Sequence, residues 1–150
     1  MSPIAVGKPA PPIPGVTFGD GPVALVFYKV TCPVCQMAAP GVDRFERAYP
    51  GRVVGIGQDP EEELDAFGDE FGMHIRVLSD PPPYEASDAY EIEAVPTLFL
   101  VGEDGTILES VGAWDRDGYN RVSERLAGLV GSSAVIISEE GDGLPPFRPG

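Results

Sequence analysis

Eight residues, Val23-Ala24-Leu25-Val26-Phe27-Tyr28-Lys29-Val30, are nearly all β-formers and run straight into Thr31-Cys32-Pro33-Val34-Cys35. A strand this apolar belongs inside a sheet rather than at a solvated edge. Pro33 then suits the first turn of a helix, where its missing N–H is not needed. The following segment to Tyr49 carries apolar residues at Met37, Val42, Phe45 and Tyr49. Pro40 should kink that helix, and Pro50-Gly51 should end it.

Arg52 to Gln58 holds Val53-Val54-Gly55-Ile56 and reads as a second buried strand. Glu61-Glu62-Glu63 opens the next helix, where acidic groups offset the positive end of the dipole. Leu64, Phe67 and Phe71 form its apolar stripe, and Gly72 should cap it. A short strand is expected near Ile75–Leu78, then a stiff Asp80-Pro81-Pro82-Pro83 loop and a short helix through Tyr84–Tyr90. Thr97–Val101 and Thr106–Val111 read as strands joined by the turn Glu103-Asp104-Gly105. Asp115 to Val130 is the last helix, with Tyr119, Val122, Leu126 and Leu129 as its apolar face and Asp115 and Asp117 at its cap. The order β-α-β-α-β-α-β-β-α predicts an α/β fold with a mixed sheet covered on both faces by helices. Residues 1–22, rich in Pro and Gly, read as an extended lead-in with a short hairpin. The expected domain is 1–131. Residues 132–150 are expected as a partly extended or disordered tail whose Ala134-Val135-Ile136-Ile137 patch pairs as an edge strand.

A chain of 150 residues fits one domain. Ten basic residues against 24 acidic ones leave a net charge of −14. Nucleic acid and anionic membrane would be repelled at long range, so neither is expected as a partner. The longest purely apolar run is far short of a membrane span. No leader is visible, so the expected compartment is the cytoplasm, or outside it if a leader has been removed. A monomer or weak dimer is expected.

Cys32-Pro33-Val34-Cys35 is where chemistry is expected. At the start of a helix, free N–H groups and the dipole stabilise a thiolate. A three-residue offset on a helix brings two sulfurs into disulfide range. Cys32 is then the exposed nucleophile and Cys35 the buried resolving thiol. Two other readings stay open: half of a zinc site, although His74 is the only other soft ligand, and a structural disulfide. No metal and no cofactor is expected. Val95-Pro96-Thr97 opens a strand, a place where proline has a positional reason. From physics alone a trans Val95–Pro96 bond is the expectation, since cis X–Pro bonds are a minority.

Together these pieces resemble the thioredoxin superfamily, and more narrowly its TlpA/ResA-type thiol–disulfide oxidoreductases and redoxin relatives. The matching residues are Val6-Gly7-Lys8-Pro9-Ala10-Pro11, Val26-Phe27-Tyr28, the cysteine pair, Pro40, Val53–Ile56, Ala94–Val101 and Asp104-Gly105-Thr106-Ile107, across roughly residues 4–130. The resemblance implies a thioredoxin-like fold with an N-terminal extension. It implies a cis Pro96 beside the cysteines, and Val95 offering backbone hydrogen bonds to an extended substrate. Thr31, Pro33, Val95 and Pro96 are then the substrate-positioning residues. The implied partners are protein disulfides or dithiols and a reductant protein.

The chain departs from that family at three points, one of them Gly55, near the place where thioredoxins tend to carry a basic partner on the second strand. Thr31 stands where many members have Trp. Val26 stands where thioredoxins bury an acid that accepts a proton from the second cysteine. Lys29, Gln58 and Glu93 are the candidate modulators, with Asp59 or a water also open for the proton. Pro33-Val34 supplies no charge, so a reducing or intermediate potential is expected. Two rival functions are a peroxiredoxin-like peroxidase, disfavoured by Lys29 three residues before Cys32, and a non-catalytic module with a structural cysteine pair.

Overall fold

The computed structural model describes residues 3–150; Met1 and Ser2, the start of the expected lead-in, lie outside the described residues. Its strands are β1 (Val23–Tyr28), β2 (Val53–Gly57), β3 (Arg76–Ser79), β4 (Thr97–Val101), β5 (Ile107–Gly112), β6 (Trp114–Asp115) and β7 (Phe147–Arg148). Its helices are α1 (Pro33–Ala48), α2 (Glu61–Phe71), α3 (Glu85–Ala89) and α4 (Arg116–Val130). The main sheet runs β3-β2-β1-β4-β5. β1, β2 and β3 are parallel, while β4 is antiparallel to both β1 and β5. This is the mixed sheet of an α/β thioredoxin-like fold, with the cysteine pair at the C-terminal end of its central strand.

Successive crossovers in one direction keep α1 and α2 on the same face, as right-handed connections require. Side chains on β1 alternate accordingly. Ala24, Val26 and Tyr28 join a core with α1, α2 and α4. Leu25 and Phe27 point the other way, toward Ile13, Ala86 and Tyr90. Helices thus lie on both faces, but unevenly: three cover one face, and the short α3 shares the other with the lead-in.

The lead-in forms no hairpin among the described residues. It lies along β5 instead: Gly7 N–H donates to Ile107 O, Ile107 N–H to Lys8 O and Ala10 N–H to Gly105 O, all within 2.9 Å. This shields an otherwise open sheet edge. At α4 the expected apolar face is one residue off at its end. Leu129 is exposed, and Ala127 closes the core.

The tail also departs from expectation. Residues 134–137 form no strand, because α4 side chains satisfy that backbone. Asn120 Oδ1 accepts from Ile137 N–H at 2.8 Å, and Ser123 Oγ donates to Val135 O at 2.6 Å. Ile137 is wholly buried, and Gly41 lets it and Trp114 approach α1: a Cβ there would stand 3.4 Å from each. The strand in the tail is β7, which pairs with β6.

Candidate active site

β1 ends at Tyr28, and four residues later Cys32 is the N-cap of α1. The turn between them is held by its own polar groups. Asp59 Oδ2 accepts from Val30 N–H at 2.9 Å, and Gln36 Nε2 donates to Val30 O at 2.9 Å. Extended backbone at Cys32 aims its sulfur back over the helix start, where Cys35 N–H donates to Sγ at 3.2 Å. That amide is one of the unpaired donors of a helix N-terminus, so negative charge on Cys32 has a partner in place.

Cys35 sits differently. It is 4% exposed, in the core with Val34, Ala38 and Tyr119. Burial pushes its thiol well above the usual range, and its hydrogen bond with Cys32 adds to this. The two cysteines are not bridged to one another.

The Val95–Pro96 peptide is cis. The Val95 carbonyl lies beside Cys32, whose Sγ donates to Val95 O at 3.5 Å. The loop is fixed behind by Ala113 N–H to Pro96 O at 2.9 Å and by Thr97 Oγ1 to Ala94 O at 2.8 Å.

A cavity of about 370 Å³ opens over this junction. Its lining gathers Thr31, Cys32, Pro33 and Val95 with Lys29, Gln58 and Glu93. Pro96 is buried behind it, as is Cys35. Gln58 Nε2 also donates to Ser87 Oγ at 3.0 Å, tying β2 to α3. A larger cavity of about 570 Å³ lies among Pro11–Pro14, Leu78 and Pro81–Pro83, and no cysteine lines it. His74, the other soft ligand considered for zinc, is on the surface, 3.7 Å from Asp43. Among the described residues no group of three His, Cys, Asp or Glu side chains is placed to hold a metal. Among them, too, no helix is long and apolar enough to cross a membrane.

Three site features escaped the sequence reading. Tyr28 and Tyr119 hydroxyls are buried without a hydrogen-bond partner among the described residues. Burial raises both phenols first; the charges of Asp59 and Asp65 then add at Tyr28, and those of Cys35 and Asp115 at Tyr119. Two-residue alternation from Val26 could have placed Tyr28 on the α1 face. Nothing local in the sequence could bring Tyr119, 84 positions after Cys35, to the same core. The third feature is Gly150, which also lines the cavity.

The model of the AhpC/TSA family matches residues 16–110. Thiol-disulfide oxidoreductase ResA of Halalkalibacterium halodurans is 29% identical over 91 residues, covering 58% of this chain and 51% of that protein. The chain thus spans about half the length of this curated relative. A secreted Mycobacterium tuberculosis disulfide oxidoreductase homologous to E. coli DsbE superposes with a TM-score of 0.60 at 24% identity, over 73% of this chain and 82% of that one. The thioredoxin domain of a Bacteroides vulgatus thiol-disulfide oxidoreductase gives 0.69 at 21% identity, over 82% and 99%. At those identities the two structures speak for the fold alone.

Proposed function

The chain belongs to the AhpC/TSA family, and on that footing we propose that it exchanges electrons with protein disulfides through Cys32 and Cys35. The observation that carries this is the asymmetry of the pair. One sulfur is half-exposed at a helix N-terminus beside the Val95 carbonyl, and the other is buried behind it.

Cys32 thiolate attacks one sulfur of the substrate disulfide. That bond breaks, and the departing sulfur takes a proton. Cys35 then gives up its proton and attacks Cys32 Sγ, which releases the second substrate sulfur as a thiol. Two electrons and two protons pass to the substrate, and the chain keeps a Cys32–Cys35 disulfide. A partner dithiol reverses the sequence. Val95, held by the cis bond, lines up the extended substrate, with Thr31 and Pro33 beside it. Lys29, Gln58 and Glu93 border the path of the charge.

Trapping tests this. Cys35→Ser should accumulate a mixed disulfide through Cys32, and Cys32→Ser should accumulate none. Equal trapping by both variants would remove the assigned roles. A hydroperoxide added in place of the disulfide separates the peroxidase reading: consumption by Cys35→Ser as fast as by the intact pair would favour it.

A further inference from the structure

Residues 144–150 make a strap that reaches the site. Its upstream half is gripped. Arg116 donates from its guanidinium to Leu144 O at 2.8 Å and from its backbone N–H to Pro146 O at 3.0 Å. Trp114 Nε1 donates to Pro145 O at 2.7 Å, and β7 adds a two-residue ladder on β6. Beyond β7 only Pro149 and Gly150 remain, and no such bond holds them among the described residues. Every residue from Pro146 to Gly150 is exposed, Phe147 by 57%.

Gly150 lies against the Val95 carbonyl. A Cβ built on it would overlap that oxygen outright and stand 2.6 Å from the carbonyl carbon. The same oxygen accepts from Cys32 Sγ. One carbonyl therefore serves both the nucleophile and the strap, at the place where an extended polypeptide would add. Only a residue without a side chain fits there.

We propose that the strap 144–150 is a built-in occupant of this groove and sets which disulfides Cys32 accepts. Small disulfides reach Cys32 past it, whereas polypeptide disulfides must displace it first. An occupant that fills the groove nine-tenths of the time weakens apparent binding of a competitor roughly tenfold. The inference rests on the oxidoreductase reading.

The test compares the reduced protein with its Gly150→Ala variant, whose methyl group cannot sit on Val95 O. Single-turnover oxidation by insulin and by oxidised glutathione is followed. Each turnover breaks one substrate disulfide and forms one Cys32–Cys35 disulfide, so no further reductant is needed. Gly150→Ala should react with insulin roughly tenfold faster and with glutathione disulfide at an unchanged rate. Labelling of Cys32 by N-ethylmaleimide and by a polymer-tagged maleimide reads the strap without any disulfide chemistry. Only the bulky reagent should gain from the substitution. Equal gains for large and small reagents, or none, would overturn the strap. A bulky-label gain with no disulfide exchange by either protein would keep the strap as a gate and remove the oxidoreductase reading.

Discussion

Two cysteines three positions apart become unlike because one caps a helix start and the other lies a turn inside it. Cys32 takes an amide, and Cys35 takes the core. Burial holds the Cys35 proton well past neutral pH. Reduction must therefore deliver at least one proton per two electrons, so the midpoint potential should fall by at least about 30 mV per pH unit from pH 6 to 9. A flat potential across that range would contradict the buried thiol. The phenols make a second contrast. Tyr119 buries a hydroxyl with no partner among the described residues, whereas Tyr49 donates to Ser123 O at 3.1 Å and accepts from Val135 N–H at 3.1 Å. Tyr119→Phe should be neutral or stabilising by about 1 kcal/mol, and Tyr49→Phe should cost about 1–3 kcal/mol, both by urea unfolding. The cysteines were legible at this scale because their spacing is local to a motif; the cis Pro96 followed only from the family resemblance, since physics alone favoured the trans bond. Hydroxyl partners were not legible, because they depend on where α4 and the tail meet α1.

Elements were legible where periodicity and punctuation agreed. Gly72 caps α2 in the left-handed region with its N–H on Gly68 O, and the Asp115 side chain accepts from Gly118 N–H at the start of α4. Asp115→Ala should cost about 1 kcal/mol in thermal unfolding. Reading failed at the tail, where Ala134-Val135-Ile136-Ile137 has β-forming composition but docks on helix side chains. A four-residue patch carries too little periodicity to say what will satisfy its backbone. Propensity also misleads at Gly68. In a helix interior Gly→Ala ordinarily gains about 1 kcal/mol. Here the added Cβ would stand 2.7 Å from the Met73 carbonyl oxygen, which the α2 cap holds in place. Gly68→Ala should therefore lower stability, by about 1–3 kcal/mol. A rise in the melting temperature would show that the cap yields.

Across the molecule, a net charge of −14 leaves few cations, and several hold the tail and α4 in place. Burial alone would raise the Glu109 carboxyl, but hydrogen bonds from Arg121 and Arg125 outweigh it and hold the group below its ordinary value. These pairs tie β5 to α4. Asp142 gathers Ser138 Oγ, the N–H groups of Leu144 and Glu139, and Arg116. The Ser138 hydrogen bond, then the Leu144 N–H, lower its carboxyl below the usual 3.8. A depressed folded value means the contribution is complete above pH 3.8 and is lost as pH falls through the lower one. Trp114, the single tryptophan, bonds the tail at Pro145 O, so its fluorescence should change in that acid window. Asp142→Asn should abolish the step, and identical curves would detach Asp142 from the tail. The general fold was legible because each buried strand announces itself. The strap's path was not, since seven Pro-, Gly- and Phe-containing residues give no signal of what they lie against. The central claim is a reversible dithiol, and a redox titration in glutathione and dithiothreitol buffers, with free thiols alkylated and counted by mass spectrometry, tests it most directly. A single two-electron transition confined to Cys32 and Cys35, at a reducing or intermediate potential, is the result expected. Thiols that never pair in any buffer, or a disulfide that none of them opens, would contradict it.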